Sequence, residues 1–512
     1  MIKRDGYQVS LWQDSVPPYQ SATPAHTNSK YDVIIVGGGI TGISTAHQLQ
    51  KAGKHCLVLE ANTLCFGTTG GTTAHLNTLL DTPYTTIRKN FNAESAAIIA
   101  EATASAIQLI KQNIRDYQID CHFEETSAYL FSQNESEDKE LEDIADASIE
   151  AGLELRFSKT IPVPIPFTRV FEVLGQAKFH PVQYVYGIAK AFERIGGHIK
   201  QDCRVTGVEE NETLTVQTSN GSFQCTDLVY ATHIPPGVNL LHLRCAPWRS
   251  YAMAFKLTDD NYPEGLAYDM KDPYFYYRTQ IVNGEQYLIA GGRDHKTGED
   301  INTEVRFTEL EAEVRKHFNI AAGSYRWSSQ YYESADGLPY IGHLPGHPDH
   351  VYVASGFGGN GMVYSTVAAI ALRSLLTNEE TPVSKLLNPN RLKPVAGFKS
   401  FISHNAHVAG ELISRLFPGE KLEELSALAR GEGKVITYEG EKIAMFKDDH
   451  GELHAINPVC THLKCEVKWN GAERSWDCPC HGARYNTEGK VLTAPADMDM
   501  QKMQVENLAT AK

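Results

Sequence analysis

Residues 31–42 read Y-D-V-I-I-V-G-G-G-I-T-G, followed by I-S-T-A-H-Q-L-Q-K-A-G (43–53) and C-L-V-L (56–59). The unbroken β-branched run before the glycines suits a strand buried on both faces. Residues 43–53 read as a helix closed by Gly53, and 56–59 as a second buried strand ending at Glu60. Together they make a βαβ unit of about thirty residues. Each glycine of the G-x-G-x-x-G has a mechanical task. Gly37 makes the tight turn, Gly39 lets backbone approach a diphosphate, and Gly42 lets helix and strand pack closely. The helix start at Ile40 and Thr41 offers free N–H groups and a positive dipole end to the phosphates. Glu60 is placed to accept hydrogen bonds from ribose hydroxyls. A glycine turn without a ligand is the alternative reading, and the complete strand, turn, helix, strand and acid series argues against it.

A second glycine turn lies far downstream. V-Y-V-A-S (351–355) runs into Gly356-Phe357-Gly358-Gly359-Asn360-Gly361 and then a helix to about Leu376. A second backbone approach suits FAD better than NAD, because the flavin ring extends well beyond the first βαβ unit. Between the two turns, 91–113 and 135–151 read as helices. From 154 to 290 short strands dominate, among them T-L-T-V-Q-T (213–218), S-Y-A-M-A-F-K-L (250–257) and Y-F-Y-Y-R (274–278). The expected fold is α/β, with strand, glycine turn and helix at both ends and a mixed sheet inserted between, plus a small all-β domain at the C-terminus. The expected organisation is an extended, Pro/Ser/Thr-rich arm over 1–30, the oxidoreductase over 31–390, a linker over 391–430 with an amphipathic stretch near 405–417, and the all-β domain over 431–512.

Composition bounds the partners. The 512 residues carry 47 Lys and Arg against 62 Asp and Glu, a net charge of −15. Such a chain repels phosphate backbones and anionic membrane surfaces, so neither nucleic acid nor membrane is an expected partner. No uninterrupted apolar run reaches the eighteen or so residues of a spanning helix, and the first twenty residues lack a signal peptide's apolar core. A cytoplasmic location is the expectation.

Six of the ten cysteines are scattered through the first half, where thiols usually serve as small buried hydrophobes. The other four cluster as Cys460-Thr461-His462-Leu463-Lys464-Cys465 and Cys478-Pro479-Cys480-His481-Gly482. One Cys and one His per loop, C-x-H and C-x-x-H, is the ligand set of a Rieske [2Fe–2S] centre: Cys460 and Cys478 hold one iron, His462 and His481 the other. A zinc ribbon is the alternative, but ribbons repeat C-x-x-C, and this sequence does not. His343, His347 and His350 lie in a Pro/Gly loop and read as a solvated turn. His404 and His407 are read as lacking a nearby carboxylate partner, so a facial triad is not expected.

G-G-G-I-T-G (37–42), E-A-N (60–62), G-T-T-G-G-T-T-A (67–74) and D-G-L-P-Y-I-G (336–342), followed by V-A-S-G-F-G-G-N-G-M, resemble the D-amino-acid oxidase type of FAD-dependent oxidoreductase. That family includes glycine, sarcosine and polyamine-pathway oxidases. The resemblance covers about 31–380 and implies an α/β flavoprotein, a Rossmann-like FAD-binding domain interleaved with a mixed-sheet substrate domain. It implies that 67–74, with Thr72 and Thr73, and 356–362, with Gly356, Gly358, Gly359, Asn360, Gly361 and Met362, line the flavin ring. It places Val205 against the adenine side through backbone. His75 sits where some amine-dehydrogenating relatives attach flavin covalently; non-covalent FAD is the expectation here. Amino-acid oxidases of the family hold the substrate carboxylate with an arginine shortly before L-P-x-I-G. Here Y-Y-E-S-A-D-G-L-P (331–339) has none, which argues against an amino-acid substrate. Arg278 and Arg249 are the substitute candidates, with Tyr276 beside Arg278 as a further substrate-site residue; a plain surface arginine is the alternative at both.

The C-terminal flanks W-D-C-P-C-H-G-A-R-Y and G-K-V-L-T-A-P-A resemble Rieske domains. The resemblance to quinol-oxidising Rieske proteins implies a disulfide between Cys465 and Cys480 that clasps the two ligand loops. Those proteins carry C-P-C-H-G-S-x-Y; here Ala483 replaces the serine and Tyr485 keeps the phenol. As a whole the chain resembles bacterial FAD-dependent oxidoreductases with a C-terminal Rieske domain. The implied function is oxidation of a small amine or related C–N compound by hydride transfer to FAD, with single electrons leaving through the cluster to an external acceptor. A non-enzymatic redox relay or sensor is one alternative. An NAD(P)H-fed hydroxylase is another, but it needs a second nucleotide motif that the sequence lacks.

Overall fold

The computed structural model describes residues 4–23, 29–211, 213–300, 302–391, 407–408, 411, 420–421, 428–438 and 441–503. Lys30–Val36 lies at the centre of a largely parallel sheet, pairing with Cys56–Leu59 on one side and Gly221–Tyr230 on the other. His198–Lys200 and Val351–Ser355 extend it in parallel, and Tyr340–His343 closes one edge antiparallel. Val33, Ile34 and Ile35 are completely buried, as their unbroken apolar run requires. The helices Ile40–Lys51 and Gly361–Leu376, each issuing from a glycine turn, pack on each other over this sheet.

A second, mixed sheet takes its strands from the intervening chain. Its long ribbons are Cys245–Leu257, Phe275–Val282, Glu285–Lys296 and Ile320–Ser334, with Glu124–Ser132 and Arg169–Lys178 beyond them. The two sheets draw alternately on the sequence, which is the interleaving expected from it. The 91–113 helix is observed as Ala93–Tyr117, opened by the Asn92 side chain, which accepts from Ser95 N–H at 2.7 Å. Among the described residues it is the one helix long and apolar enough to cross a bilayer. Glu94, Glu101 and Lys111 interrupt it, and its Ile99, Ala106, Ile107 and Ile110 face lies in the core.

Two small four-stranded sheets form the C-terminal module: Glu420–Lys421, Gly433–Tyr438, Glu441–Lys447 and Leu453–Ile456 in one, Lys468–Asn470, Ser475–Asp477, Arg484–Tyr485 and Val491–Thr493 in the other. The first sheet recruits Glu420–Lys421, which pairs in parallel beside Ile436 and Thr437, from the stretch read as linker. Two residues are too few to show a strand period in sequence. His404 and most of 405–417 lie outside the described residues.

The N-terminal segment differs from the expected extended arm. Ser10 caps a short helix, Leu11–Asp14, and both Leu11 and Trp12 are buried. Arg4 and Asp5 are also fully buried, at the junction of the two modules. Arg4 pairs with Asp5 at 3.1 Å and with Glu473 at 3.3 Å; Asp5 pairs with Arg484 at 3.2 Å. Asp477 then joins Arg484 at 3.1 Å and Arg249 at 3.4 Å. Three cations and three carboxylates thus close a neutral buried network, the arrangement that lets charges leave water. The arm's polar composition misled because those polar groups are spent on the interior.

Candidate functional site

The predicted dinucleotide residues line one long cavity. Gly37, Gly39, Ile40, Thr41, Glu60, Thr72, Thr73, Val205, Gly358, Gly359, Asn360, Gly361 and Met362 all stand on its wall. Gly37 adopts φ +112°, and a Cβ there would lie 2.5 Å from the Ala231 carbonyl oxygen. Gly42 lies behind the wall, where a Cβ would come within 1.8 Å of the Gly37 carbonyl oxygen, so its task is the helix–strand contact. Gly42→Ala should therefore purify with most of its bound flavin missing, as read from flavin content per chain. Gly356 also stays off the wall, at the end of Val351–Ser355.

Glu60 accepts from the Gly38 and Asn62 N–H groups at 2.7 and 2.8 Å, which fixes its carboxylate at the turn. Burial raises its pKa despite those bonds. Residues 67–74 are held from behind: Trp12 Nε1 donates to Thr72 O at 2.6 Å, Trp327 Nε1 to Gly71 O at 2.7 Å, and Ser10 Oγ to Gly70 O at 2.5 Å. At the far end Gly359 N–H donates to Asp81 at 2.9 Å, and Asp81 N–H donates to Asn360 Oδ1 at 2.8 Å. A glycine cradle, a helix N-terminus, a fixed acid and a second glycine turn on one cavity fit an extended dinucleotide carrying a ring system.

Of the substrate-site candidates, Tyr276 lines the cavity and the two arginines do not. Arg278 is fully buried beneath the flavin-side loop, donating to Thr73 O at 2.9 Å and Ala74 O at 2.6 Å. Arg249 points away because side chains alternate along a strand: Ser250 and Ala252 face the cavity, and Arg249 faces Asp477 of the C-terminal module. The cavity instead gathers residues the sequence gave no reason to group: Tyr268, Tyr274, Tyr331, Asp81 and Asp294. Tyr331 OH donates to Asp294 Oδ2 at 2.8 Å. Burial, reinforced by the nearby Asp81 charge, raises the Asp294 carboxyl to about 7 against the opposing pull of the Ser250 and Tyr331 hydroxyls. His75 also lines the cavity, with Nδ1 2.5 Å from Tyr268 OH and Nε2 buried without a hydrogen-bond partner. Burial, with Arg278 and Lys178 adding to it, lowers the His75 pKa well below the usual value.

The four predicted cluster ligands meet at the tips of two loops. The His462 and His481 rings lie 5.1 Å apart and perpendicular, and Cys460 and Cys478 are buried beside them. Both ring nitrogens of His462 are buried without a hydrogen-bond partner, which leaves one free to ligate a metal. A Cys465–Cys480 disulfide joins the loops. Tyr485 OH stands 3.2 Å from Cys460 Sγ and 2.9 Å from Thr461 Oγ1. The Cys478 thiol and this phenol together lower the Cys460 pKa. Two thiols and two imidazoles so placed fit a [2Fe–2S] cluster with mixed ligation. His343, His347 and His350 do not converge: His347 pairs with Glu210 at 2.6 Å and His350 with Asp227 at 2.9 Å.

Ala483 is fully buried in the second ligand loop. A serine hydroxyl there would donate to the cluster sulfur region and favour the reduced, more negative state. A bond to a charged acceptor contributes on the order of 1.5–3 kcal/mol, which is roughly 60–130 mV for one electron. Ala483→Ser is expected to raise the reduction potential by tens of millivolts in protein-film voltammetry; an unchanged or lowered value would show that the hydroxyl does not reach the sulfur.

The ligand loops are docked on the flavin module. His242, from the short helix Leu240–Leu243, places its ring 4.7 Å from that of His462 and 5.9 Å from that of His481. Tyr332 OH donates to His481 O at 3.2 Å, and Gln330 Nε2 donates to Gly482 O at 2.8 Å. Both side chains also line the dinucleotide cavity, as do Leu492, Thr493, Ala494, Ala496 and Asp497 of the C-terminal module. No local sequence signal marks these contacts.

Residues 32–375 match the family model described as FAD dependent oxidoreductase (DAO), and 420–504 match the Rieske [2Fe-2S] domain. The chain is 33% identical over 484 residues to the Bacillus subtilis (strain 168) protein YhfW, described as a Rieske 2Fe-2S iron-sulfur protein, covering 94% of each chain. It is 23% identical over 369 residues to gamma-glutamylputrescine oxidoreductase of Escherichia coli (strain K12), covering 68% of this chain and 84% of that one. Glycine oxidase from Geobacillus kaustophilus shares the fold with a TM-score of 0.58 at 16% identity, over 71% of this chain and 99% of that one. The chain therefore belongs to the FAD-dependent oxidoreductase family and carries a C-terminal Rieske [2Fe–2S] domain, and it binds both cofactors.

Proposed function

We propose that this enzyme oxidises a small amine or related C–N compound by hydride transfer to FAD, and that the electrons leave one at a time through the Rieske cluster to an external acceptor. The observation that carries the reading is the docking of the ligand loops: Gln330 and Tyr332 line the flavin cavity and hydrogen-bond to the carbonyls of Gly482 and His481. When bound, the flavin supplies two-electron acceptance and the cluster one-electron exchange.

The chain's own residues support that sequence of events. Hydride leaves the α-carbon of the uncharged amine as the nitrogen lone pair forms the C=N⁺ bond of an iminium ion, so the reacting carbon must be held against the ring with water excluded. Tyr268, Tyr274, Tyr276 and Tyr331 wall that chamber. His242 and the flavin module cover the imidazole side of the cluster site: His462 is 9% exposed and His481 1%. Single electrons entering at that edge come from within the chain. Anaerobic mixing with a panel of amines tests the reading: bleaching of the flavin followed by the reduced-cluster EPR signal supports it. Bleaching by NAD(P)H alone, or a cluster that stays oxidised while the flavin bleaches, overturns it.

A further inference from the structure

The substrate end of the cavity has a charge pattern opposite to that of an amino-acid site. Arg204 is the one arginine or lysine among the described cavity residues; it adjoins Val205 at the nucleotide end and donates to Val491 O at 2.9 Å. Arg278 and Arg249, the cations the sequence offered for a carboxylate, are sequestered elsewhere. In their place stand Asp81 and Asp294 with Tyr274, Tyr276 and Tyr331.

Asp294 is not a spent structural carboxylate. Its Oδ2 accepts from Tyr331 OH at 2.8 Å, while Oδ1 is buried with no hydrogen-bond partner among the described residues. A buried carboxylate oxygen without a donor is costly unless a ligand supplies one. The tyrosines add faces that attract cations: the Tyr274 and Tyr276 rings lie 5.6 Å apart and tilted, and Ser250 Oγ lies 3.2 Å from Tyr276 OH. Asp81 is anchored differently, by Gly359 N–H at the second glycine turn, which leaves Asp294 as the acid with an open valence.

Building on the proposed amine oxidation, we propose that the substrate enters as an ammonium ion with no carboxylate beside it, held by Asp294 Oδ1 and the faces of Tyr274, Tyr276 and Tyr331, and that its N–H proton passes to Asp294 before hydride leaves the α-carbon. An α-amino acid brings a carboxylate into a chamber whose described residues include no cation to pair it, so the carboxylate is buried uncompensated and the amino acid is rejected.

Titration of the oxidised holoprotein with tert-butylammonium, which donates N–H and has no α-hydrogen to lose, and, separately, with acetate, read as perturbation of the flavin absorption spectrum, tests this without turnover. The cation is expected to perturb the spectrum with at least tenfold higher affinity than acetate. Asp294→Asn is expected to weaken cation binding tenfold or more, with Asp294→Glu recovering part of the loss. Acetate binding as tightly as the cation, no response to either ion, or an Asp294→Asn protein within twofold of wild type overturns the assignment. Cluster reduction during amine turnover is scored separately by EPR. Cation binding without cluster reduction removes the relay and leaves the anchor, whereas cluster reduction by an amine without cation binding does the reverse.

Discussion

His462→Ala is expected to lower substrate-driven turnover with a one-electron acceptor by on the order of 100-fold or more, since even partners outside the ligand set commonly account for up to that much. The reason is the ligand set itself. His462 is one of only two imidazoles on its iron, and its ring is buried against His481 and His242, so no solvent ligand can replace it in place. The flavin cavity receives no atom of His462, so anaerobic bleaching of the flavin by the same substrate should proceed close to the wild-type rate. The two readouts separate the relay from the oxidation. Intact turnover with a one-electron acceptor in a protein lacking the cluster signal would mean that electrons leave the flavin by another route.

Arg484→Ala carries the second large effect, on stability. Its guanidinium, fully buried, sits between Asp5 of the N-terminal segment and Asp477 of the Rieske domain. Burial by itself would raise both carboxyl pKa values; Arg484 and Arg249, with Arg4 at Asp5, outweigh it and hold both below the usual 3.8. Removing one partner of such a network leaves charge buried and unpaired, which costs about 3–5 kcal/mol. The sign of the pH dependence follows. Carboxylates with depressed native pKa values contribute stability above pH 3.8, and the contribution disappears as pH falls through the native values. The gap between wild type and variant should therefore be widest near neutrality and shrink on acidification, as measured by thermal unfolding across pH. A gap of under 1 kcal/mol at pH 7 would show that the two modules do not depend on this network.

Glu473 ties the same junction to the mixed sheet: its Oε1 accepts from Ser328 N–H and Oγ at 2.8 and 2.7 Å, and its Oε2 from Tyr7 N–H at 2.9 Å. The N-terminal segment thus has two tasks. Through Trp12 and Ser10 it backs the loop at the flavin; through Arg4 and Asp5 it fastens the Rieske domain. One continuous strap thus holds both the loop at the flavin cavity and the Rieske domain.

The two cofactor sites were legible in the sequence because their requirements are local. A diphosphate needs a tight turn and a helix start within a dozen residues, and 31–42 contains both; a mixed-ligand cluster needs one Cys and one His on each of two loops, and 460–481 supplies them. The α/β core followed too, since strands buried on both faces must be continuously apolar. The substrate chamber was not legible. Tyr276, Asp294 and Tyr331 come from three strands and Asp81 from a distant loop, and only sheet register brings them onto one wall. The same register turned Arg249 toward the Rieske domain and set Arg278 under the flavin loop, so residues that looked like substrate ligands are structural. The 1–30 segment misled for a related reason: its polar side chains read as solvent-seeking, and their buried partners lie hundreds of residues away, at Glu473 and Arg484. Contiguous motifs fixed which cofactors this chain holds; side-chain facing and long-range charge pairing, which only the packed chain defines, decided which side chains line the cavity and where the cluster ligands sit.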